Sequence, residues 1–411
     1  MIVLFMVSLL YMDIEELFQR KILSLSIANK IAIAVSGGPD SLALLMLIHQ
    51  FSHTNSVEVI VLTVNHNLRK AAQVECKYVD EVARSLGLSC HILTWQNPQA
   101  KQSEARAARY KLLTDWCKDH QVSQLILGHH QDDQAETLLM RLARGSGLDG
   151  LCAMHETSYN NGIKILRPLL TFTKQQLIDY LLAKNVKWHD DPSNSNLKYD
   201  RTIFRNYINS TNNSERLTKR LSLSALHMQR TQQALIFYLK QEVERCVTVH
   251  QFGYVDIDRE YLLSLPEEMS MRIIVSCLMI IGNKSYKPRY KNFINLFKEI
   301  LNDKYKNTRT LHGCKVIKSD YNISIRREIS CISNSQVQIY ANQAVIWDGR
   351  FRCTSNISGI ICKNNDGTEI MRSLPLLKSD KKCIYPYLGQ LNSVFKLHFI
   401  FSELMLYSIK T

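Results

Sequence analysis

The chain reads as α/β: a parallel sheet with helices on both faces, then a mostly helical basic region, then a small α+β region. Three observations predict the first part. Apolar, β-branched runs of strand length recur at residues 31–35, 57–64, 90–95 and 124–127, as strands covered on both faces do. A helix-forming stretch follows each run, and this alternation before residue 140 specifies parallel strands. Words rich in Gly, His and carboxylates stand just after the strands, at the edge where open α/β sheets bind ligands.

At 411 residues the chain is too long for one compact core. The polar run Asn209-Ser210-Thr211-Asn212-Asn213-Ser214 marks one boundary, and a turn to strand-like pattern near 346 marks a second. The expected domains are therefore 1–212, 213–345 and 346–411. The net charge of +14 favours a polyanionic partner such as nucleic acid. The eleven Cys show no C-x-x-C pair and no zinc spacing, which points to reduced thiols in a cytoplasm. Residues 2–12 are apolar but lack a basic leader and a cleavage site, and are too short to cross a bilayer. The expected native start is Met12, and no membrane partner is expected.

Residues 13–26 carry Leu, Ile and Phe at helical spacing, as an amphipathic opening helix does. The first strand then meets Ser36-Gly37-Gly38-Pro39-Asp40-Ser41 and a helix. Two glycines let backbone N–H groups converge on an anion, and Asp40 or Ser41 is placed to cap the helix whose positive end faces it. The Lys of a Gly-Lys-Ser/Thr phosphate loop is missing, as is a G-x-G-x-x-G turn. A carboxylate inside an anion loop repels phosphate unless a cation bridges them, so Asp40 calls for Mg²⁺ between loop and nucleotide.

The second strand ends at Asn65-His66-Asn67-Leu68-Arg69, where His66 either borders a nucleotide or faces solvent. A helix over 73–86 and the third strand follow. Ser103-Glu104-Ala105-Arg106-Ala107-Ala108-Arg109-Tyr110 opens another helix with Arg106 and Arg109 on one face. That face suits a polyphosphate or RNA backbone, or is simply solvated. After the fourth strand comes Gly128-His129-His130-Gln131-Asp132-Asp133-Gln134-Ala135-Glu136-Thr137. Asp132 or Asp133 can cap the next helix, and Gly145 stops it. Asp133 and Glu136 project together from its first turn, as a Mg²⁺ or acid–base site requires. Asn160-Asn161-Gly162 is a hairpin turn; residues 174–184 form a helix; 188–196 form a polar loop; and Arg201 and Arg205 stack four apart.

Further on, 216–244 is a long helix with core spacing. Residues 284–327 hold twelve Lys/Arg against three acids, interleaved with Tyr286, Tyr290, Phe293, Tyr305 and Tyr321, an RNA-binding composition. Residues 311–327 read as a hairpin.

Ser36-Gly37-Gly38-Pro39-Asp40-Ser41 resembles the PP-loop of ATP pyrophosphatases. With Val64 to Arg69, Ala105 to Tyr110, Gly128 to Thr137, Arg144-Gly145-Ser146-Gly147, Leu166-Arg167-Pro168-Leu169-Leu170, Asp191-Pro192-Ser193-Asn194 and Tyr199-x-Arg201-x-x-x-Arg205, it resembles the tRNA(Ile)-lysidine synthases over about two hundred residues. Ala71-Ala72 departs from that pattern at the start of a helix. The resemblance implies a Rossmann-like PP-loop domain. It implies adenylation by ATP of C2 of the wobble cytidine in a CAU-anticodon tRNA(Ile), with release of pyrophosphate. Free L-lysine then displaces AMP through its ε-amine to leave lysidine.

Carried over, Ser36, Gly37, Gly38, Pro39, Asp40, Ser41 and His66 would hold ATP, and Asp40 and Asp133 would hold Mg²⁺. Asp133 and Glu136 would take Mg²⁺ or the lysine ammonium. Arg109 and Arg201, with Arg106 and Arg205 beside them, would stabilise the adenylated state. Which of Asp133 and Glu136 takes the amine's proton stays open, as does the oligomeric state, a homodimer included. Two alternatives stand: a tRNA thiolase, which needs a catalytic Cys where Cys117 and Cys152 stand alone, and a basic RNA-binding protein with an inactive loop.

Overall fold

The computed structural model describes residues 13–67, 70–96, 102–189, 200–302, 308–379, 382–386 and 394–401. The expectations for the start at Met12, for Leu68 and Arg69, for 191–199 and for Lys304, Tyr305 and Lys306 lie outside the described residues. The chain groups into two compact units, Met1–Gln232 and Gln233–Thr411.

The first unit is built on a six-stranded sheet in the order β3-β2-β1-β4-β6-β5. Its strands are β1 (Lys30–Ala34), β2 (Glu58–Asn65), β3 (Ser89–Thr94), β4 (Gln124–Leu127), β5 (Thr157–Asn160) and β6 (Ile163–Leu166). All neighbours run parallel except β5 and β6, a hairpin whose turn residues Asn161 and Gly162 both adopt positive φ. The helices are α1 (Ile14–Leu23), α2 (Pro39–Asn55), α3 (Lys70–Ser85), α4 (Gln102–Asp119), α5 (Gln131–Ala143), α6 (Leu148–Leu151), α7 (Lys174–Ala183), α8 (Asp200–Asn209) and α9 (Ser214–Cys246).

The period of two along a strand decides which helix each side chain meets. In β1, Ile31 and Ile33 point to one face, where Phe18 and Ile22 of α1, Leu44 and Ile48 of α2, Val79 of α3 and Leu177 of α7 close over them. Ala32 points to the other, where Leu113 and Cys117 of α4 join Leu62 and Leu125. Both faces being covered, β1 carries no polar residue between Ile31 and Ala34. The strand order reverses direction at β1, with β2 on one side and β4 on the other, and a crevice opens at such a switch point.

In the second unit, β7 (Val247–His250), β8 (Tyr254–Asp258), β9 (Thr308–Leu311), β10 (Cys314–Lys318) and β11 (Asn322–Arg327) form an antiparallel sheet in the order β7-β8-β11-β10-β9. The region read as mostly helical thus holds this sheet beside helices α10 (Arg259–Ser264), α11 (Glu267–Ile281) and α12 (Tyr290–Leu301). Its β10–β11 pair is the hairpin expected over 311–327, with Cys314 and Val316 buried and Lys315 between them not. A four-stranded and a three-stranded antiparallel sheet follow. Residues on both sides of 345/346, among them Ile257, Cys277, Phe297, Trp347, Phe351 and Phe399, pack into one hydrophobic core. Among the described residues no helix is long and apolar enough to cross a membrane.

One ionic group lies inside this second core. Asp348 accepts from Arg350 Nε at 2.7 Å and from Arg327 Nε and Nη2 at 3.1 and 3.0 Å. Arg350, 0% exposed, also donates to the carbonyls of Gly253 and Ser373, and Arg327 to those of Gly282 and Cys331. Removing the shared carboxylate leaves two buried cations uncompensated, and such losses cost about 3–5 kcal/mol. Asp348→Ala should therefore lower stability by about that amount in urea unfolding, and Asp348→Asn by less.

Candidate active site

The PP-type turn leaves β1 with Gly37 at φ +84°, and a Cβ there would also lie 3.4 Å from Val79 Cγ2. The positive φ favours glycine, while the Val79 contact is one that a Cβ could make. Ser41 Oγ closes the turn by accepting from Ser36 N–H at 3.1 Å and donating to the Gly38 carbonyl at 3.0 Å. His189 N–H donates to the Gly37 carbonyl at 3.0 Å. The expected cap is corrected: Gly38 is the N-cap of α2, Pro39 is its first residue, and neither Asp40 nor Ser41 caps it. Pro tolerates that position because its missing N–H would have no helical partner there. The helix start therefore has no side-chain acceptor on it.

At the neighbouring strand end, Ala34 pairs with Leu127, so Gly128 lies beside the turn. A Cβ on Gly128 would stand 3.0 Å from the Asp40 carbonyl oxygen and 3.2 Å from Ser41 Cα. Only a glycine lets the two loops approach this closely. The start of α5 is also corrected: its N-cap is His130, and Asp133 Oδ2 accepts the His130 N–H at 3.1 Å. Gly145 follows the end of α5 with φ +68°. Asp132 Oδ2 accepts the Lys174 N–H at 2.9 Å and ties α5 to α7.

His130 joins the two loops. Its buried imidazole lies 3.4 Å from Asp40 Oδ2, 3.4 Å from Asp132 Oδ2 and 3.7 Å from Asp133 Oδ2. Burial disfavours a charge here, but Asp133, Asp132 and Asp40 outweigh it and raise the pKa well above the ordinary value, so His130 is a cation. For Asp133, burial pushes the pKa up, and His130 and Arg201 overcome it, holding the carboxyl below its usual range.

A second set of charges comes from α8, which packs against α5. Arg201 Nε donates to Glu136 Oε2 and its Nη2 to Asp133 Oδ1, both at 2.6 Å. Arg205 donates to both Glu136 oxygens, at 2.6 and 3.2 Å. The predicted Asp40, Asp133, Glu136 and Arg201 are thus brought together. Arg109 lies on α4, where burial lowers its pKa, with Arg106 and Arg201 adding to the fall and Tyr110 and Asp133 opposing it. His66 stands just past β2, edge-on to Trp95 at 6.3 Å.

Sequence reasoning gave no role to His130, Gly128 or Arg167. A signal for Arg167 was present, because a charge inside the apolar run Ile165 to Leu170 is costly unless bonded. Its Nη1 donates to the His155 carbonyl and to Ser158 Oγ, both at 2.9 Å. Cys117 and Cys152 are fully buried, and burial pushes the Cys117 thiol up to about 12, far from a nucleophile.

His129 has the opposite character to His130. Burial pushes its pKa down to about 3, with Asp133 opposing and Arg167, Arg109 and Arg106 adding to the fall. The unfolded chain takes up this proton near pH 6.5 and the folded chain only near 3, so stability is lost as pH falls between them. His129→Gln should flatten the dependence of unfolding free energy on pH between 4 and 6 by up to about 1.4 kcal/mol per pH unit. Urea titrations across that range measure it.

A family model described as a PP-loop domain matches residues 11–212. The tRNA(Ile)-lysidine synthase of Wolbachia pipientis wMel is 40% identical over 91% of this chain and 93% of its own length. That of Wolbachia sp. subsp. Brugia malayi is 42% identical over 84% of this chain and 81% of its own. The U34-tRNA thiolase NcsA from Methanococcus maripaludis overlaps with a TM-score of 0.42 and 16% identity over 51% of this chain and 78% of its own, too slight a likeness to carry the thiolase alternative. By its identity to these relatives over nearly its whole length, the chain belongs to the tRNA(Ile)-lysidine synthase family.

Proposed function

We propose that this chain adenylates C2 of the wobble cytidine of a CAU-anticodon tRNA(Ile) with ATP. Pyrophosphate leaves, and the ε-amine of free L-lysine displaces AMP to form lysidine in the cytoplasm. The observation that carries the reading is the single site joining a glycine phosphate turn to two carboxylate-anchored arginines through His130.

The turn from Ser36 to Ser41 and the uncapped start of α2 supply N–H donors for the ATP phosphates. His66 borders the nucleotide from the end of β2. The fit to Mg²⁺ rests on Asp40, whose Oδ1 is buried with no hydrogen-bond partner. Mg²⁺ commonly uses one or two carboxylates plus substrate phosphates, and it offsets the charge of the departing pyrophosphate. Asp133, the other expected ligand, has each oxygen already accepting an N–H, so Asp40 is the stronger metal ligand of the two.

Arg201, fixed in a fork by Asp133 and Glu136, needs no reorganisation when charge develops at the α-phosphate. Arg109 adds a second, desolvated guanidinium. Asp133 and Glu136 also form the acidic end of the site, which draws in the lysine ammonium. The nucleophile comes from the substrate, which agrees with the burial of Cys117 and Cys152.

In the second unit, the exposed Tyr286, Tyr290 and Tyr321 lie in the basic stretch and suit tRNA through stacking and phosphate contacts.

The test supplies ATP, Mg²⁺, labelled lysine and a CAU-bearing tRNA(Ile) transcript. Lysine should enter the tRNA; sulfur entering in its place overturns the reading. Asp40→Ala should lower pyrophosphate release at least about a hundredfold while tRNA affinity in filter binding holds. Lys287→Ala with Arg289→Ala should weaken tRNA binding and reduce its slope against log salt by up to about 2, with adenylation at saturating tRNA kept.

A further inference from the structure

Beside the acidic cluster lies a group of guanidiniums with no carboxylate of their own. Arg106 and Arg109 flank one ring, 5.3 and 5.7 Å from the centroid of Tyr110. Arg167 begins the segment after β6, whose Leu166 pairs with Ile126 of β4, so Arg167 and His129 stand at adjoining strand ends. Arg167 is 8% exposed, and its Nε is buried without a partner. His129 Nδ1 is likewise buried without a partner.

Arg201 and Arg205 are neutralised by Asp133 and Glu136, whereas Arg106, Arg109 and Arg167 are in no ion pair among the described residues. Like charges gathered around the buried Arg167 are costly until an anion arrives. The nucleotide phosphates already have the turn after β1 to receive them. The guanidinium group lies instead past β4 and β6, and a planar guanidinium matches a carboxylate in bidentate fashion. A basic group adjoining an acidic one matches a molecule with a carboxylate at one end and an ammonium at the other.

We propose that Arg106 and Arg167, with Arg109 at the junction to the acidic cluster and His129 beside them, hold the α-carboxylate of the amino-acid substrate. This rests on the reading of free lysine as nucleophile. The subsite selects an amino acid over a simple amine and orients its far end toward Asp133 and Glu136.

The test pairs a change in the substrate with a change in the protein. The substrate probe is 1,5-diaminopentane, which is lysine without its carboxylate. The full chain should use lysine over diaminopentane by about a hundredfold or more in kcat/KM for incorporation into adenylated tRNA. Arg106→Ala, at an exposed position, and Arg167→Gln should each lower that preference about tenfold or more by raising KM for lysine. In Arg167→Gln, the rate with diaminopentane and the lysine-independent release of pyrophosphate should stay as in the wild type.

Equal slowing of both amines in both variants, or loss of pyrophosphate release in a folded Arg167→Gln, overturns the subsite. A wild type that releases pyrophosphate yet incorporates neither amine overturns the ligase reading, and the subsite with it.

Discussion

The site depends on one buried imidazolium. His130 lies among Asp40, Asp132 and Asp133, which come from two loops. Without its charge, three carboxylates would face one another in a low dielectric, and the loops carrying them would repel. With it, Asp40 is drawn toward α5 and the phosphate turn is registered against the helix that holds Asp133 and Glu136. The backbone makes the same join, since Gly128 has no Cβ to hold the Asp40 carbonyl away. Charge and sterics thus fix one geometry by independent routes.

Counting the ionised groups shows why that geometry suits a nucleotide with a metal. Asp40, Asp132, Asp133 and Glu136 are four negative charges, and His130, Arg201 and Arg205 are three positive ones. All seven are tied into pairs within the protein, through oxygens that accept N–H groups or face the imidazole. The residue with an open, buried oxygen is Asp40, at the phosphate turn. That open oxygen sits where a divalent cation carried by ATP would bind on the proposed reading. The sheet contributes the placement: β1 and β4 are neighbours at the point where strand order reverses, so both loops open on one crevice.

Much of this was legible in the sequence because its signals are local. Ile31 and Ile33 against Ala32 are a period-two pattern, and the Gly37 turn and Asn161-Gly162 are positions that need positive φ. The spacing of Asp133 and Glu136 put them on one helix face. What was not legible depends on contacts far apart in the chain. The N-cap positions of α2 and α5 fall on Gly38 and His130, with Asp133 completing a capping box at the start of α5; an Asp near a helix start is a generic capping signal that does not fix its exact position. Asp40 is instead turned to His130, ninety residues on, and Asp133 to the backbone of His130 and to Arg201. In the second unit the hairpin β10–β11 was legible because its pattern is local, whereas β7 and β8, which join it from residues 247–258, carry no local signal of that pairing.

The division of charges also bears on how an amine can act as nucleophile here. A lysine ammonium attacks only once it has lost a proton, which its ordinary pKa opposes by several kcal/mol at neutral pH. Acidic side chains attract the cation but stabilise its charged form, so attraction alone works against the reaction. Asp133 and Glu136, the carboxylates proposed to attract it, are themselves bonded to Arg201, Arg205 and His130, which withdraws much of their negative potential. The nearby Arg109 raises the local positive potential further, a condition that favours the neutral amine. Binding an ammonium and releasing an amine are then two aspects of one balance, and the arginine anchors on Asp133 and Glu136 set where it lies.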